Sequence, residues 1–470
     1  MSRPGQASIT EDINQAERQA RATGAAPYPP METTHMQTVP ASGAPPLAAP
    51  TDRPLTALLF RKLMPLLVLS YVISFLDRTN IALAKTHIAV DLNISAAAYG
   101  LGAGLFFLSY AFLEIPSNLI MHRVGARFWI TRIMVTWGLL SAAMAFVQGE
   151  TSFYIMRVLL GAAEAGLFPG VMLYLTYWFG REDRARAVGY FLLGVCIANI
   201  VSGPLGGALL AMDGIWGFKG WQWMFVLEGL PAVLLAAVVW KKLPDGPDSA
   251  PWLTPAQAQA VRTRLAAEAA DASTGKAGHS FLGAMRDPQV WLAIFIYFCH
   301  QISIYTVIFF LPGIIGTYGK LTPVEIGLLN SLPWIAAAIG AAWLPRHANT
   351  PGRGRRLLCL GLAVMAGGLL IAAFAGPVMA LVGFSLTALM FFVVQSIVFL
   401  FPSSRLKGVA LAGGLALINT CGLIGGFIGP SVMGLIEQAT GSTRNGLIIM
   451  AGLLLVACAV APALRQGQER

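Results

Sequence analysis

Residues 63–84 read LMPLLVLSYVISFLDRTNIALA. The run is long enough to cross a bilayer, which takes about 20 residues of helix. It nonetheless carries an acid and a base, Asp77 and Arg78, in its second half. A charge deep in lipid costs at least about 2.5–3.5 kcal/mol, so a chain that keeps two of them side by side needs them there. Backbone in lipid must also satisfy its own hydrogen bonds, which an α-helix does locally. The stretch therefore predicts a membrane-spanning helix with a functional centre inside it.

Eleven more apolar runs follow, at about 98–120, 128–148, 153–178, 187–211, 222–240, 289–316, 324–344, 357–374, 378–401, 408–436 and 445–463. The longest polar interruption, Lys241 to Asp287, divides the twelve into six and six. The halves echo each other. Asn199 precedes Gly203-Pro204 in the fifth run, and Asn419 precedes Gly425, Gly426 and Gly429-Pro430 in the eleventh. An all-α polytopic membrane protein follows, with twelve transmembrane helices in two pseudo-symmetric six-helix bundles, an internal symmetry expected of transporters. The expected organisation is a disordered cytoplasmic tail over 1–54, bundles over 55–243 and 288–463, a central loop over 244–287 and a short tail over 464–470. A short helix from Thr10 to Ala22 is expected in the first tail, and an amphipathic surface helix over Pro255–Ala270 in the loop. No apolar core follows a basic start in 1–54, so a signal peptide is not expected.

Composition agrees. Of 470 residues, 56% are hydrophobic and 11% charged, against roughly 25% charged in soluble domains. An ordinary soluble enzyme, a disordered chain and a coiled coil are excluded. The net charge of +10 reflects topology and contact with anionic lipid, not a nucleic-acid partner. With the N-terminus inside, seventeen Lys and Arg fall in the internal loops, among them Arg123, Arg127, Arg181, Arg184 and Arg186, against Lys85, Lys219, Lys320 and Arg444 outside. Both termini are thus expected in the cytoplasm. The five cysteines lie in apolar runs without a paired spacing, as small buried residues. No zinc-ligand spacing, nucleophile elbow or nucleotide loop occurs, which argues against a membrane enzyme and predicts no cofactor.

The deep charges are Asp77, Arg78, Glu114, Arg157, Glu164 and Glu228. Arg132 and Glu325 sit near span ends and can snorkel to water. Every deep charge is in the first half, whereas the neutral polar residues His300, Gln301, Asn330, Gln395 and Asn419 are in the second. Proton chemistry is therefore expected in the first half and neutral hydrogen bonding in the second. By helical rise, Asp77 and Arg157 lie near one level. Glu164, two turns beyond Arg157, is on the same face and roughly 10 Å deeper. A carboxyl poised between burial and a nearby arginine can load and lose a proton. An arginine facing a cavity can grip a carboxylate through two hydrogen bonds. A structural ion-pair network that only fixes helix packing is the competing reading.

Tyr71 to Ile81, Glu114-Ile-Pro116-Ser-Asn118 and Arg157-Val-Leu-Leu-Gly161-Ala-Ala-Glu164-Ala-Gly166-Leu-Phe-Pro169-Gly170, with Trp178-Phe179, Trp252-Leu253 and Gly425-Gly426 before Pro430, carry a family pattern. The chain resembles the anion:cation symporters of the major facilitator superfamily over about residues 60–463. The resemblance implies a bacterial inner-membrane symporter that takes up a small organic carboxylate with protons by alternating access. Its range includes hydroxy and sugar acids such as tartrate or galactonate, and aromatic acids such as phthalate or hydroxyphenylacetate. It implies Asp77 and Glu164 as protonation sites, Arg157 as the residue coupling Glu164 to the cycle, and Arg78 as the carboxylate ligand. Tyr110 and Asn419 are implied as cavity positions. Gln301 and Gln395 are further candidate substrate contacts, by their polarity within the spans. The loop His122-Arg123-Val-Gly125-Ala-Arg127 lacks the acidic residue that many superfamily members place there. The expected partners are the anion, protons and the lipid bilayer, with the chain acting as a monomer. A proton-driven efflux antiporter is the alternative, suggested by the Gly203-Pro204 run.

Overall fold

The computed structural model describes residues 53–274, 285–348, 351–406 and 408–465. These residues belong to one compact unit, Asp52–Arg470. Twelve helices are long and apolar enough to cross a membrane: α1 (Arg53–Asp91), α2 (Ala96–Val124), α3 (Ala126–Phe146), α4 (Glu150–Thr176), α5 (Arg181–Leu210), α6 (Gly220–Lys242), α7 (Pro288–Gly316), α8 (Pro323–Trp343), α9 (Gly352–Phe374), α10 (Pro377–Ser403), α11 (Gly413–Thr440) and α12 (Arg444–Ala463). All twelve predicted spans are present. The helix expected near Thr10 lies outside the described residues.

The twofold repeat is visible in the packing. Within the first half α1 pairs with α5, α2 with α4, and α3 with α6; within the second, α7 pairs with α11, α8 with α10, and α9 with α12. Adding six to each partner maps one set onto the other. The halves meet through α2 against α11, α5 against α8, and α1 against α7, the first two again exchanged by the repeat. The predicted surface helix runs over Pro255–Thr274. It is tied to the start of α5 by Arg264 to Asp183 at 2.9 Å and by Glu268, which accepts the Arg181 backbone N–H at 2.8 Å.

Loops rich in Lys and Arg fall on one face of the bundle, here the basic face, and the halves are sealed near the opposite one. A Cβ on Gly203 of α5 would stand 2.0 Å from the Gly327 carbonyl oxygen of α8, and the reverse holds as well. Only glycine on both sides permits that approach. Gly100 of α2 likewise abuts Pro430 and Gly434 of α11. Lys85 completes the seal. Because α1 continues to Asp91 instead of ending near residue 84, Lys85 is a buried helical residue and not part of a loop. Its ammonium donates to Glu437 of α11 at 2.6 and 2.9 Å and lies 4.1 Å from the Phe310 ring. Nearer the basic face, Asn419 of α11 donates to Glu114 of α2 across the two halves.

Gly327→Leu forces a side chain into the Gly203 carbonyl, and overpacking of this kind costs about 1–3 kcal/mol. The variant is expected to part α5 from α8. A cysteine placed at Ser331, which is now buried and donates to the Ile200 carbonyl, should then react with a thiol reagent about tenfold faster than without the leucine. An unchanged rate would show that this contact does not seal the face.

Candidate functional site

The site begins with a break in α4. Its first segment, Glu150–Glu164, ends on the glutamate itself, and a second, Leu167–Thr176, resumes after Gly166. The apolar run over 153–178 predicts one continuous span, and the structure divides it. Ala165 is extended and Gly166 is left-handed, with φ +94°, a conformation that glycine adopts without strain. A Cβ there would also meet the Ser117 hydroxyl at 2.1 Å. That hydroxyl, from α2, donates to the Ala165 carbonyl at 2.7 Å and accepts from Trp129 Nε1 at 2.9 Å. The break is thus satisfied from outside the helix, and it holds Glu164 at a fixed depth.

Two side chains of α1 reach Glu164. Arg78 Nη2 and the Ser74 hydroxyl both donate to its Oε1. Glu164 is 1% exposed and Arg78 9%. The guanidinium lies among three rings, 4.7 Å from Phe75, 5.1 Å from Phe106 and 5.5 Å from Tyr110, so its flat faces are covered while its edge meets the carboxylate. Tyr305, from α7 of the other half, is within electrostatic reach of the same guanidinium. Asp77, the neighbour of Arg78, points elsewhere. Its Oδ1 accepts from the Ser141 hydroxyl of α3, and its Oδ2 has no partner.

Arg157 is held by the backbone of α2. It does not pair with Glu164. Its Nε and Nη2 donate to the carbonyls of Gly102 and Ala103 in α2, each at 3.2 Å, and its guanidinium lies 4.9 Å from the Phe106 ring. Two turns of helix separate Arg157 from Glu164, about 10 Å, so α1 reaches the glutamate where α4 does not. Arg157 acts on Asp77 and Glu164 only as a nearby fixed charge.

The second half contributes neutral groups. Asn419 Nδ2 donates to Glu114 Oε1 at 3.3 Å across the interface. Gln301 is buried on α7 against Gly422 and Gly425 of α11. Gln395 Nε2 donates to the Tyr297 hydroxyl at 3.1 Å, placing it behind an aromatic ring. Tyr110 is 5% exposed beside Arg78. Asp77, Arg78, Glu164, Tyr110, Glu114 and Asn419 thus share one region, with Gln301 one turn of α7 from Tyr305.

Glu114 stands out in the sequence only as a deep charge, and Asn80 and Ser141, uncharged within apolar runs, carry no such mark. Glu228 of α6 is also buried, with Asp77 and the Asn80 amide beside its carboxylate.

Twelve spans closing around buried charges define a polytopic membrane transporter. The sequence profile of the Major Facilitator Superfamily matches residues 67–430. The chain is 40% identical over 396 residues to a putative tartrate transporter of Agrobacterium vitis, covering 84% of this chain and 88% of that protein. It is also 40% identical over 414 residues to a quinolone resistance transporter of Acinetobacter baumannii, covering 86% and 94%. Among solved structures, a bacterial homolog of the human lysosomal transporter Spinster matches with a TM-score of 0.70 at 17% identity, over 87% of this chain and 98% of that one. That likeness shows the fold alone. The chain belongs to the Major Facilitator Superfamily, a family of transporters and not of enzymes.

Ser117→Ala strands the Ala165 carbonyl and the Trp129 indole, at a cost of about 1–3 kcal/mol, readable by equilibrium unfolding in mixed micelles. Gly166→Ala is expected to cost more, because it adds the clash and the left-handed strain. Parental stability in Gly166→Ala would mean that α4 does not need its break.

Proposed function

We propose that the protein is a secondary active transporter that couples proton entry to the uptake of a small organic carboxylate across the bacterial inner membrane. One observation carries this reading: Arg78, which stays charged at any accessible pH, is held by a carboxylate that can itself take a proton. A substrate carboxylate and the Glu164 carboxylate compete for the same planar fork. Identity with a putative tartrate transporter supports an organic acid as cargo.

The cycle runs as follows. With the halves open to the outside, protons occupy Asp77 and Glu164, and Arg78, released from Glu164, binds the anion. The neutralised centre permits closure. Once the halves open to the cytoplasm the protons leave, Glu164 recovers Arg78, and the anion loses its ligand. In this cycle the pairing of Arg78 with Glu164 belongs to the stage after the anion has left, and the Lys85–Glu437 contact to the stages closed toward the outside. The concentration of Lys and Arg in the loops of one face supports placing that face, and both termini, in the cytoplasm. Two protons with a monoanion make the cycle electrogenic, and with a dianion neutral.

A second reading is supported by the quinolone resistance relative, namely export of a drug or metabolite against protons. Cells lacking the protein lose growth on an organic acid under the first reading and become drug-sensitive under the second.

Proteoliposomes with an imposed pH gradient test the coupling. Asp77→Asn and Glu164→Gln are each expected to abolish gradient-driven accumulation of the labelled acid, and accumulation at the parental level would refute the assignment. Arg78→Ala should abolish binding. Arg78→Lys should recover little of it, remaining more than about tenfold weaker because the two-pronged contact is lost; parental affinity in the lysine variant would exclude bidentate capture.

A further inference from the structure

His300 of α7 is fully buried. Its ring is stacked on Tyr297 at 6.0 Å and on Phe391 at 5.2 Å, tilted by 16° and 13°. Its Nε2 is 3.1 Å from the Phe391 carbonyl oxygen of α10, and its Nδ1 is 3.1 Å from the amide atom placed as Gln301 Oε1. No charged side chain acts on it among the described residues. The groups around it are Tyr297 and Gln301 on its own helix, the Phe391 carbonyl on α10, and Trp334 of α8 against Phe391. Gly422 of α11 lies behind Tyr297, and the Met450 carbonyl of α12 is taken by Ser303. An imidazolium there would be a buried charge without a counter-ion, so the ring is neutral.

The remaining steps are forced by hydrogen-bond chemistry. A backbone carbonyl only accepts, so the proton of the neutral ring sits on Nε2, facing Phe391. Nδ1 then carries a lone pair and needs a donor. Gln301 can supply one only through its NH2, because its carbonyl oxygen would oppose a second acceptor. The two ends of an amide have nearly the same shape and are assigned from their partners, and the partner here requires the NH2 to face His300. The Gln301 carbonyl oxygen therefore points away from the histidine. It does so on the face of α7 that carries Tyr305 one turn later, beside Arg78.

We propose that His300 is a positioning residue that locks the Gln301 amide with its carbonyl oxygen toward the substrate, so that the second half of the site selects an anion bearing a hydroxyl. The inference rests on the carboxylate reading of Arg78 and narrows its cargo to hydroxycarboxylates. The hydroxyl donates to Gln301 about one helical turn, roughly 5 Å, beyond the group held near Tyr305 and Arg78. A substrate without that donor leaves the Gln301 oxygen desolvated and unpaired, which is how buried polar groups reject close analogues.

Two measurements on the purified full-length chain test this. Nitrogen NMR with labelled histidine, the His300 signal assigned by its absence in His300→Phe, should show a neutral ring protonated at Nε2 at pH 7. A ring protonated at Nδ1, or at both nitrogens, overturns the proposal whatever the substrate. Equilibrium binding then compares tartrate with succinate, and 4-hydroxyphenylacetate with phenylacetate. For at least one pair the hydroxylated member should bind about tenfold or more tighter, and His300→Phe should compress that ratio several-fold while leaving the deoxy member's affinity within about twofold. An uncompressed ratio, or no preference in either pair, overturns it. Arg78→Ala separates the two readings. If it leaves binding of all four acids intact, the carboxylate assignment itself has failed; if it abolishes binding while His300→Phe leaves the ratio unchanged, only the positioning role has failed.

Discussion

An arginine cannot shed its charge, and in the interior of a membrane bundle it cannot go without a partner. Arg78 therefore imposes a rule on everything around it: whenever the centre is closed off from water, some anion must occupy its edge. In this structure the anion is Glu164, supported by Ser74. Three aromatic rings cover the guanidinium, which leaves little room for water to take the anion's place. A carboxylate that is both the resident partner and a proton acceptor gives the protein two stable arrangements, one with Glu164 charged and paired, the other with Glu164 protonated and the arginine free. In the proposed cycle the substrate anion stabilises the second arrangement and the membrane proton gradient drives passage between the two. Differential stabilisation of two states is what any ligand-driven change requires.

The scaffold serves that exchange with rigid parts. The break in α4 fixes Glu164 at the level of Arg78, and Ser117 satisfies the carbonyl that the break exposes. Arg157 is anchored to the carbonyls of Gly102 and Ala103, a fixed positive charge that does not need to move. Its close approach to α2 depends on Gly102, where a Cβ would meet the Phe153 ring at 2.1 Å. The contacts joining the halves near the face opposite the basic loops, glycine against glycine in α5–α8 and Lys85 against Glu437, are small and local. Such contacts can open without disturbing the helix pairs inside each half.

Much of the fold was legible because lipid imposes a simple code. Apolar runs of the right length mark the spans, and the long polar stretch before residue 288 marks the division between halves. The site was legible in its members but not in its pairings. Asp77, Arg78, Arg157 and Glu164 stand out because charges in apolar runs are costly, yet nothing in their spacing pairs Arg78 with Glu164. The ion pair instead joins α1 to α4, and no single-helix periodicity reports a contact between residues 86 apart in sequence. The α4 break was hidden because Ala165-Gly166 sits in an apolar run that looks continuous; the left-handed glycine is a property of backbone dihedrals and not of hydropathy. Lys85 was misplaced for a related reason, since a helix end cannot be read from apolarity when the last turns are capped by an ion pair with another helix.

The account turns on Arg78 changing partners, and proton uptake on substrate binding reports that exchange most directly. Purified protein in weakly buffered detergent solution, mixed with a saturating hydroxycarboxylate, should take up close to one proton per anion bound. Displaced from the guanidinium, the Glu164 carboxylate would be a buried charge without a counter-ion, and a proton removes that cost. The uptake should vanish when Glu164 is glutamine. Anion binding with no proton uptake, or with uptake unaffected by that replacement, would mean that Arg78 never releases Glu164.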